Sequence, residues 1–144
     1  MPQGQLKIAT TSRMEFINIT GEIDKILLSQ PMASGVIHLF SPHTTAGLLI
    51  NEGADPDVCL DLLQALDHLV PKHLGFKHRE GNSPSHIMTM LTGSTLTLFI
   101  EKGKLQLGTW QKVFLGEFDG PRSRTVRWKT LPDPQQPFAN IPIT

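Results

Sequence analysis

The segment from Phe76 to Ile87 holds His78, Arg79, Glu80, Asn82, Ser83 and His86 with few apolar residues among them, and apolar sequence flanks it on both sides. A polar stretch in that position is either a solvated loop or part of a site. His43 stands in a second polar turn, Ser41-Pro42-His43-Thr44-Thr45, again between apolar runs. Three imidazoles on loops can hold a zinc-like ion and leave one coordination position open, as in a catalytic metal centre. The eight-residue step from His78 to His86 is longer than a helix-borne ligand pair. Spacing alone therefore leaves open the other use of such histidines, which is hydrogen bonding to loop backbone. His38 in an apolar strand, His68 at a helix end and His73 in a connection read as core or surface residues.

The charged residues near the chain's end add candidates. Glu117 and Asp119 flank Phe118 at a strand end, so one can point inward and the other outward. Arg122 and Arg124 share a strand face, which suits bidentate binding of phosphate or carboxylate and equally suits a solvated face of ion pairs. Glu52 ends an apolar strand near the His43 turn and has no helix-capping explanation, whereas Asp55 and Asp57 do. Cys59 lies in a helical apolar pattern and reads as a small packed residue. Trp110 and Gln111 read as core. Neither the order nor the spacing of Ser, His and Asp proposes a triad, and no Gly-rich phosphate loop is present.

The elements that must position these residues can be read from periodicity. Leu6 to Arg13 and Met14 to Ile19 read as strands. Thr20 is placed to cap a helix over 21–29, with Glu22 and Asp24 in its first turn. Gly35 to Phe40 is almost continuously apolar and reads as a central strand covered on both faces. Gly47 to Ile50 resumes a strand after the His43 turn. Asp55-Pro56-Asp57 is a strong helix start. The helix it opens runs to about Leu69, with Val58, Leu62, Ala65, Leu66 and Leu69 as its buried stripe. Ser83-Pro84 reads as the cap and first position of a short helix ending near Gly93. Thr95 to Ile100 alternates, Glu101 to Lys104 is a hairpin turn with Gly103 at positive φ, and Leu105 to Phe118 gives one or two strands. Asp119-Gly120-Pro121 turns the chain into a last strand, Arg122 to Lys129, with Arg122, Arg124, Val126 and Trp128 on one face. About seven strands and two to three helices predict an α+β fold with a mixed or antiparallel, β-sandwich-like core. Residues 1–130 read as a single domain and 131–144 as a Pro-rich tail.

Composition narrows the function classes. The chain has 144 residues, 39% hydrophobic and 18% charged, with thirteen basic and thirteen acidic residues. That is ordinary globular composition. A net charge of zero carries no electrostatic footprint for nucleic acid and does not oppose self-association. A lone cysteine permits no intrachain disulfide and favours the cytoplasm. The N-terminus has no apolar signal region, and no run reaches the ~20 apolar residues of a membrane span.

Five blocks, in order, carry a resemblance. They are Ser41 to Ala46; Asn51-Glu52 with Ala54-Asp55-Pro56-Asp57-Val58; His78 with Glu80-Gly81-Asn82 and His86-Ile87; Leu107 to Gln111; and Glu117 to Arg122 with Arg124. Together they resemble the YjbQ family over roughly Leu6 to Lys129, with Ser83-Pro84-Ser85 departing from the pattern expected before His86. Members of the family are often labelled secondary thiamine-phosphate synthases. The resemblance implies a homotrimer with a polar pocket at the subunit interface. It implies metal ligation by His43, His78 and His86, and substrate contacts from Thr44, Thr45, Asn82, Ser83 and Arg124. It implies a supporting polar role for Glu52 and places in the pocket for Glu117, Asp119 and Arg122, and these four are the candidate catalytic group. The label implies joining of a pyrimidine methyl diphosphate to a thiazole phosphate with loss of diphosphate. Such a reaction calls for neutralisation of the leaving group by a divalent ion or by arginines, and an all-histidine set suits a zinc-like ion better than magnesium. A trimeric small-ligand-binding protein without catalysis and a metal-dependent phosphoesterase are the competing expectations.

Overall fold

The computed structural model describes residues 1–134. The elements run β1 (Gln3–Ala9), β2 (Glu15–Asn18), α1 (Thr20–Ser29), β3 (Ser34–Phe40), β4 (Ala46–Glu52), α2 (Pro56–Leu69), α3 (Ser83–Thr92), β5 (Thr95–Glu101), β6 (Lys104–Leu105), β7 (Gln111–Glu117) and β8 (Ser123–Pro132). The fold is α+β, and among the described residues the strands pair only antiparallel, so the mixed alternative is not realised. Five strands form one sheet in the order β1-β8-β3-β5-β6, and three form a second in the order β2-β7-β4.

The inner faces of the two sheets meet in one core. Ile8, Ile37, Leu39, Leu98, Ile100 and Val126 of the first sheet cluster with Leu48, Val113 and Leu115 of the second and with Ile23, Ile26 and Leu27 of α1. Strict alternation in β5 shows the cause: Leu98 and Ile100 are buried while Thr97 and Phe99 face outward. A smaller cluster of Val70, Met88 and Phe118, packed by Met14, Phe16, Leu66 and Ile87, fixes the end of β7 near α3. The Phe16 and Phe118 rings meet edge to face at 6.4 Å.

Local signals explain the junctions. Asp55 caps α2, accepting the Asp57 N–H at 2.9 Å, with Pro56 at the first helical position. Lys102 and Gly103 both take positive φ in the β5–β6 hairpin, the requirement of a tight turn that matches strand twist.

Several expectations are corrected. Thr20 does not cap α1: Ile19 holds that position, and the Thr20 hydroxyl instead accepts the Val113 N–H at 2.9 Å, tying α1 to β7. The cap position of α3 is Asn82 rather than Ser83. Among the described residues the stripe on α2 is only partly covered: Leu66 packs on the smaller cluster, but no α2 residue is fully enclosed, and Leu69 is 71% exposed. Trp110 is not core, at 65% exposed. The strand β3 is central, paired on both edges, yet His38 and Phe40 lie on an open face. Arg122 precedes β8 and is exposed, so it does not share the buried face of Arg124 and Val126. β8 extends through Leu131 to Pro132, the beginning of the stretch read as tail. The rest of that tail, 135–144, lies outside the described residues. Among the described residues no helix is long and apolar enough to cross a membrane.

Candidate functional site

Pro42 has no N–H to continue a ladder, and pairing of β3 with β8 stops at Phe40 opposite Arg127. The chain then turns through His43, Thr44 and Thr45 before β4 begins. A hollow of about 380 Å³ opens beside this turn. Among its lining residues are His43, Thr44 and Thr45 from the turn, His78, Asn82 and His86 from the Phe76–Ile87 segment, and Asp119, Arg122 and Arg124 from the β7–β8 connection and β8. Pro42 and Glu80 line it too. The His78 and His86 rings lie edge to face, 5.3 Å apart. Ser83 lines the adjoining hollow with His78 and His86.

Two candidates lie elsewhere. Glu52 is at the opposite end of β4 from the His43 turn, about 20 Å away at strand rise. There it shares a second hollow with Thr109, Trp110 and Gln111. Glu117 has no exposed surface. Its carboxylate accepts from Arg124 Nε at 2.7 Å and Nη2 at 2.6 Å, from the Thr10 hydroxyl at 2.9 Å and from the Asp119 N–H at 2.9 Å. The acid is thus saturated, in a place where it braces β7 against β8. Burial works to raise the Glu117 carboxyl, but the hydrogen bonds from Arg124, Asp119 and Thr10 outweigh it and hold the group below its ordinary value. Arg124 also reaches the Thr45 hydroxyl at 2.8 Å, so the same ion pair fixes the turn that bears His43.

The walls are ordered by a second set of contacts. Arg122 donates from Nε to the Asp119 carbonyl at 2.7 Å and from Nη2 to its carboxylate at 2.9 Å. Asn82 Nδ2 donates to the same carboxylate at 2.9 Å, which leaves Asn82 Oδ1 buried without a partner. A buried orphan acceptor is uncommon and often marks a functional place. Ser85 donates to the Phe118 carbonyl at 2.6 Å, clamping α3 to the end of β7.

His43 Nε2 accepts the backbone N–H of Thr125 at 2.9 Å. Burial, followed by the charge of Arg124, holds the His43 imidazole below its ordinary value. Among the described residues no three His, Cys, Asp or Glu side chains are arranged to hold a metal ion. The expected ligand set of His43, His78 and His86 gathers in one hollow without forming such a site. His43 is also not free to enter it through Nε2, whose lone pair is already committed to backbone. The Cys59 thiol, pushed up by burial, contacts the Glu52 carbonyl at 3.7 Å and has a packing role.

Glu117 and Arg124 were legible as chemistry-bearing residues, but their mutual pairing was not. Thr10 and the Thr125 amide were missed: a threonine at a strand end and a backbone N–H carry no sequence signal.

The molecule is thus an antiparallel two-sheet α+β protein with a polar pocket walled by histidines and arginines at one end. The chain belongs to the UPF0047 protein YjbQ-like family, whose model matches residues 4–133. It is 44% identical to the UPF0047 protein MJ1081 of Methanocaldococcus jannaschii over 127 residues, 88% of this chain and 92% of that one. It is 45% identical to the UPF0047 protein YugU of Bacillus subtilis, covering 88% and 96%. A crystal structure of an uncharacterised family member from Clostridium acetobutylicum superposes with a TM-score of 0.85 at 46% identity, covering 88% of this chain and 98% of that one. A hypothetical protein from Aeropyrum pernix gives 0.87 at 30% identity, covering 92% and 100%.

Proposed function

We propose that this chain is an enzyme acting on a phosphorylated small molecule at the histidine-lined pocket. The observation that carries the reading is the convergence of His43, His78 and His86 from separate loops into one hollow with Arg122 and Arg124. Two donors of Arg122 are spent on Asp119, and its remaining N–H groups are available to an anion. His78 and His86 are the side chains suited to proton transfer beside it. The candidate reaction is a transfer in thiamine biosynthesis. A bond forms from the pyrimidine methylene carbon to the thiazole nitrogen, the carbon–oxygen bond to diphosphate breaks, and diphosphate leaves with the electron pair. No step is routed through a metal, because the described residues do not group a fitting ligand set.

Self-association belongs to the proposal, as a homotrimer. It is supported by α2, which encloses none of its apolar residues, and by exposed Leu60, Leu69 and Trp110. A neighbouring copy also offers the means to bring Glu52 to the pocket that its own chain keeps it from. A cytoplasmic setting is supported by the single cysteine, which has no disulfide partner in the chain.

The test is formation of thiamine phosphate from the two phosphorylated precursors by the purified full chain. His86→Ala is expected to lower the rate at least tenfold, in keeping with ~10²–10⁴ for general acid–base groups; an unchanged rate removes His86 from the chemistry. The saturation of Glu117 favours a second reading, a non-catalytic binding protein, because the buried acid is unavailable as a base. Calorimetric binding of the phosphorylated precursors without turnover selects that reading.

A further inference from the structure

Resting on the phosphorylated-ligand reading above, we propose that His43 is locked by the Thr125 amide into the tautomer that carries its hydrogen on Nδ1, and presents that N–H to an acceptor oxygen of the ligand. It is neither a metal ligand nor a general base.

The lock follows from the backbone. Beyond Phe40 and Arg127, β3 no longer pairs with β8. A partly buried N–H on β8 past that point calls for an acceptor, since backbone donors in folded proteins are almost always satisfied. The His43 ring takes the place that strand carbonyls would have filled, with Nε2 2.9 Å from the Thr125 nitrogen. A ring nitrogen that accepts an N–H must hold a lone pair, so the hydrogen of the neutral imidazole sits on Nδ1. Coordination of a metal through Nδ1 would send the hydrogen to Nε2 and set it against the Thr125 N–H, donor against donor. Using Nε2 as ligand or base would release the Thr125 amide into a partly buried place.

The other nitrogen belongs to a ring that lines the pocket, and it is neither partnered nor enclosed. Among the described residues Nδ1 has no hydrogen-bond partner, and it is not among the enclosed unpartnered atoms, where Asn82 Oδ1 alone appears. The charged groups acting on the ring are Arg124 of β8, Glu117 of β7 and Lys7 of β1. Its pocket companions are His78, His86, Glu80, Asp119 and Arg122. Arg124 and Glu117 neutralise each other, so the pocket meets a neutral donor at His43 and the free N–H groups of Arg122. Two donor sources facing one hollow select an acceptor-rich group, which a phosphate ester supplies.

The experiment is nitrogen-15 NMR of histidine-labelled full chain at neutral pH, with the His43 signals assigned by loss in His43→Gln. A pyrrole-type Nδ1 and pyridine-type Nε2 are expected, and one equivalent of zinc is expected to leave both unshifted. An Nε2–H tautomer, an imidazolium or a zinc-induced shift at either nitrogen overturns the lock. Inorganic phosphate is the ligand probe. His43→Ala is expected to weaken its binding roughly ten- to hundredfold, as for a hydrogen bond to a charged group. His43→Gln retains both an acceptor and a donor and is expected to stay within a few-fold of the wild type. Equal affinities for the wild type and His43→Ala overturn the donor role. Failure of phosphate and phosphate esters to bind the wild type overturns the phosphorylated-ligand reading instead, while the NMR tautomer still decides the lock.

Discussion

The carboxylate of Glu117 accepts four hydrogen bonds in a place no solvent reaches, and half of them come from Arg124. Removing one partner leaves the other charge buried alone, a loss of about 3–5 kcal/mol. Arg124→Met is therefore expected to lower the urea midpoint sharply, and adding Glu117→Gln to it is expected to recover part of the loss. Unfolding curves of the two variants check this directly. The same pair sets an acid limit. Glu117 is held below its ordinary 4.5 in the fold, so on acidification the unfolded chain takes up the proton first. Its stabilising contribution is complete above about pH 4.5 and is lost as pH falls through the lower folded value. In Glu117→Gln this part of the stability–pH slope is expected to vanish, as urea titrations from neutral to acid pH would read.

At the scale of elements, the site depends on how strands and helices end. A Cβ on Gly120 would land on the Ser12 carbonyl oxygen and come within 2.8 Å of Glu117 Cγ and 2.9 Å of the Thr10 hydroxyl. Gly120→Ala is expected to cost about 1–3 kcal/mol through overpacking, with a lowered thermal midpoint as the readout. The cap of α2 is a separate case, exposed and away from the pocket. Asp55→Ala is expected to cost about 1 kcal/mol and to leave phosphate binding unchanged. The Asp-Pro-Asp start of α2 was fully legible, because capping is a local event settled within four residues. The Thr20 cap was misread for the converse reason: its hydroxyl was claimed by Val113, far along the chain.

For the whole molecule, the partly covered face of α2 and the exposed Trp110 and Leu69 side chains are the features the described residues leave open. Sedimentation equilibrium is expected to give three times the 16.0 kDa chain mass. Leu69→Glu is expected to shift it toward the monomer while leaving far-ultraviolet dichroism unchanged. A monomeric wild type would remove the trimer from the proposal. The periodicity of α2 correctly named an apolar stripe and wrongly assigned its burial. Amphipathicity states that a face avoids water, not whether the cover comes from the same chain.

By itself the sequence determined the class of fold, nearly every element boundary to within a few residues, and the side chains capable of chemistry. These follow from turn chemistry, capping and alternation, all of which act between near neighbours. Tertiary structure alone decided which of those side chains are free to act. It paired Glu117 with Arg124, moved Glu52 to the far end of β4 and turned His43 toward the Thr125 amide. Each decision depended on contacts between residues distant in the chain. A charge, a lone pair or a backbone donor in a buried place must find a partner there, and the chain's order does not say which partner the fold will bring.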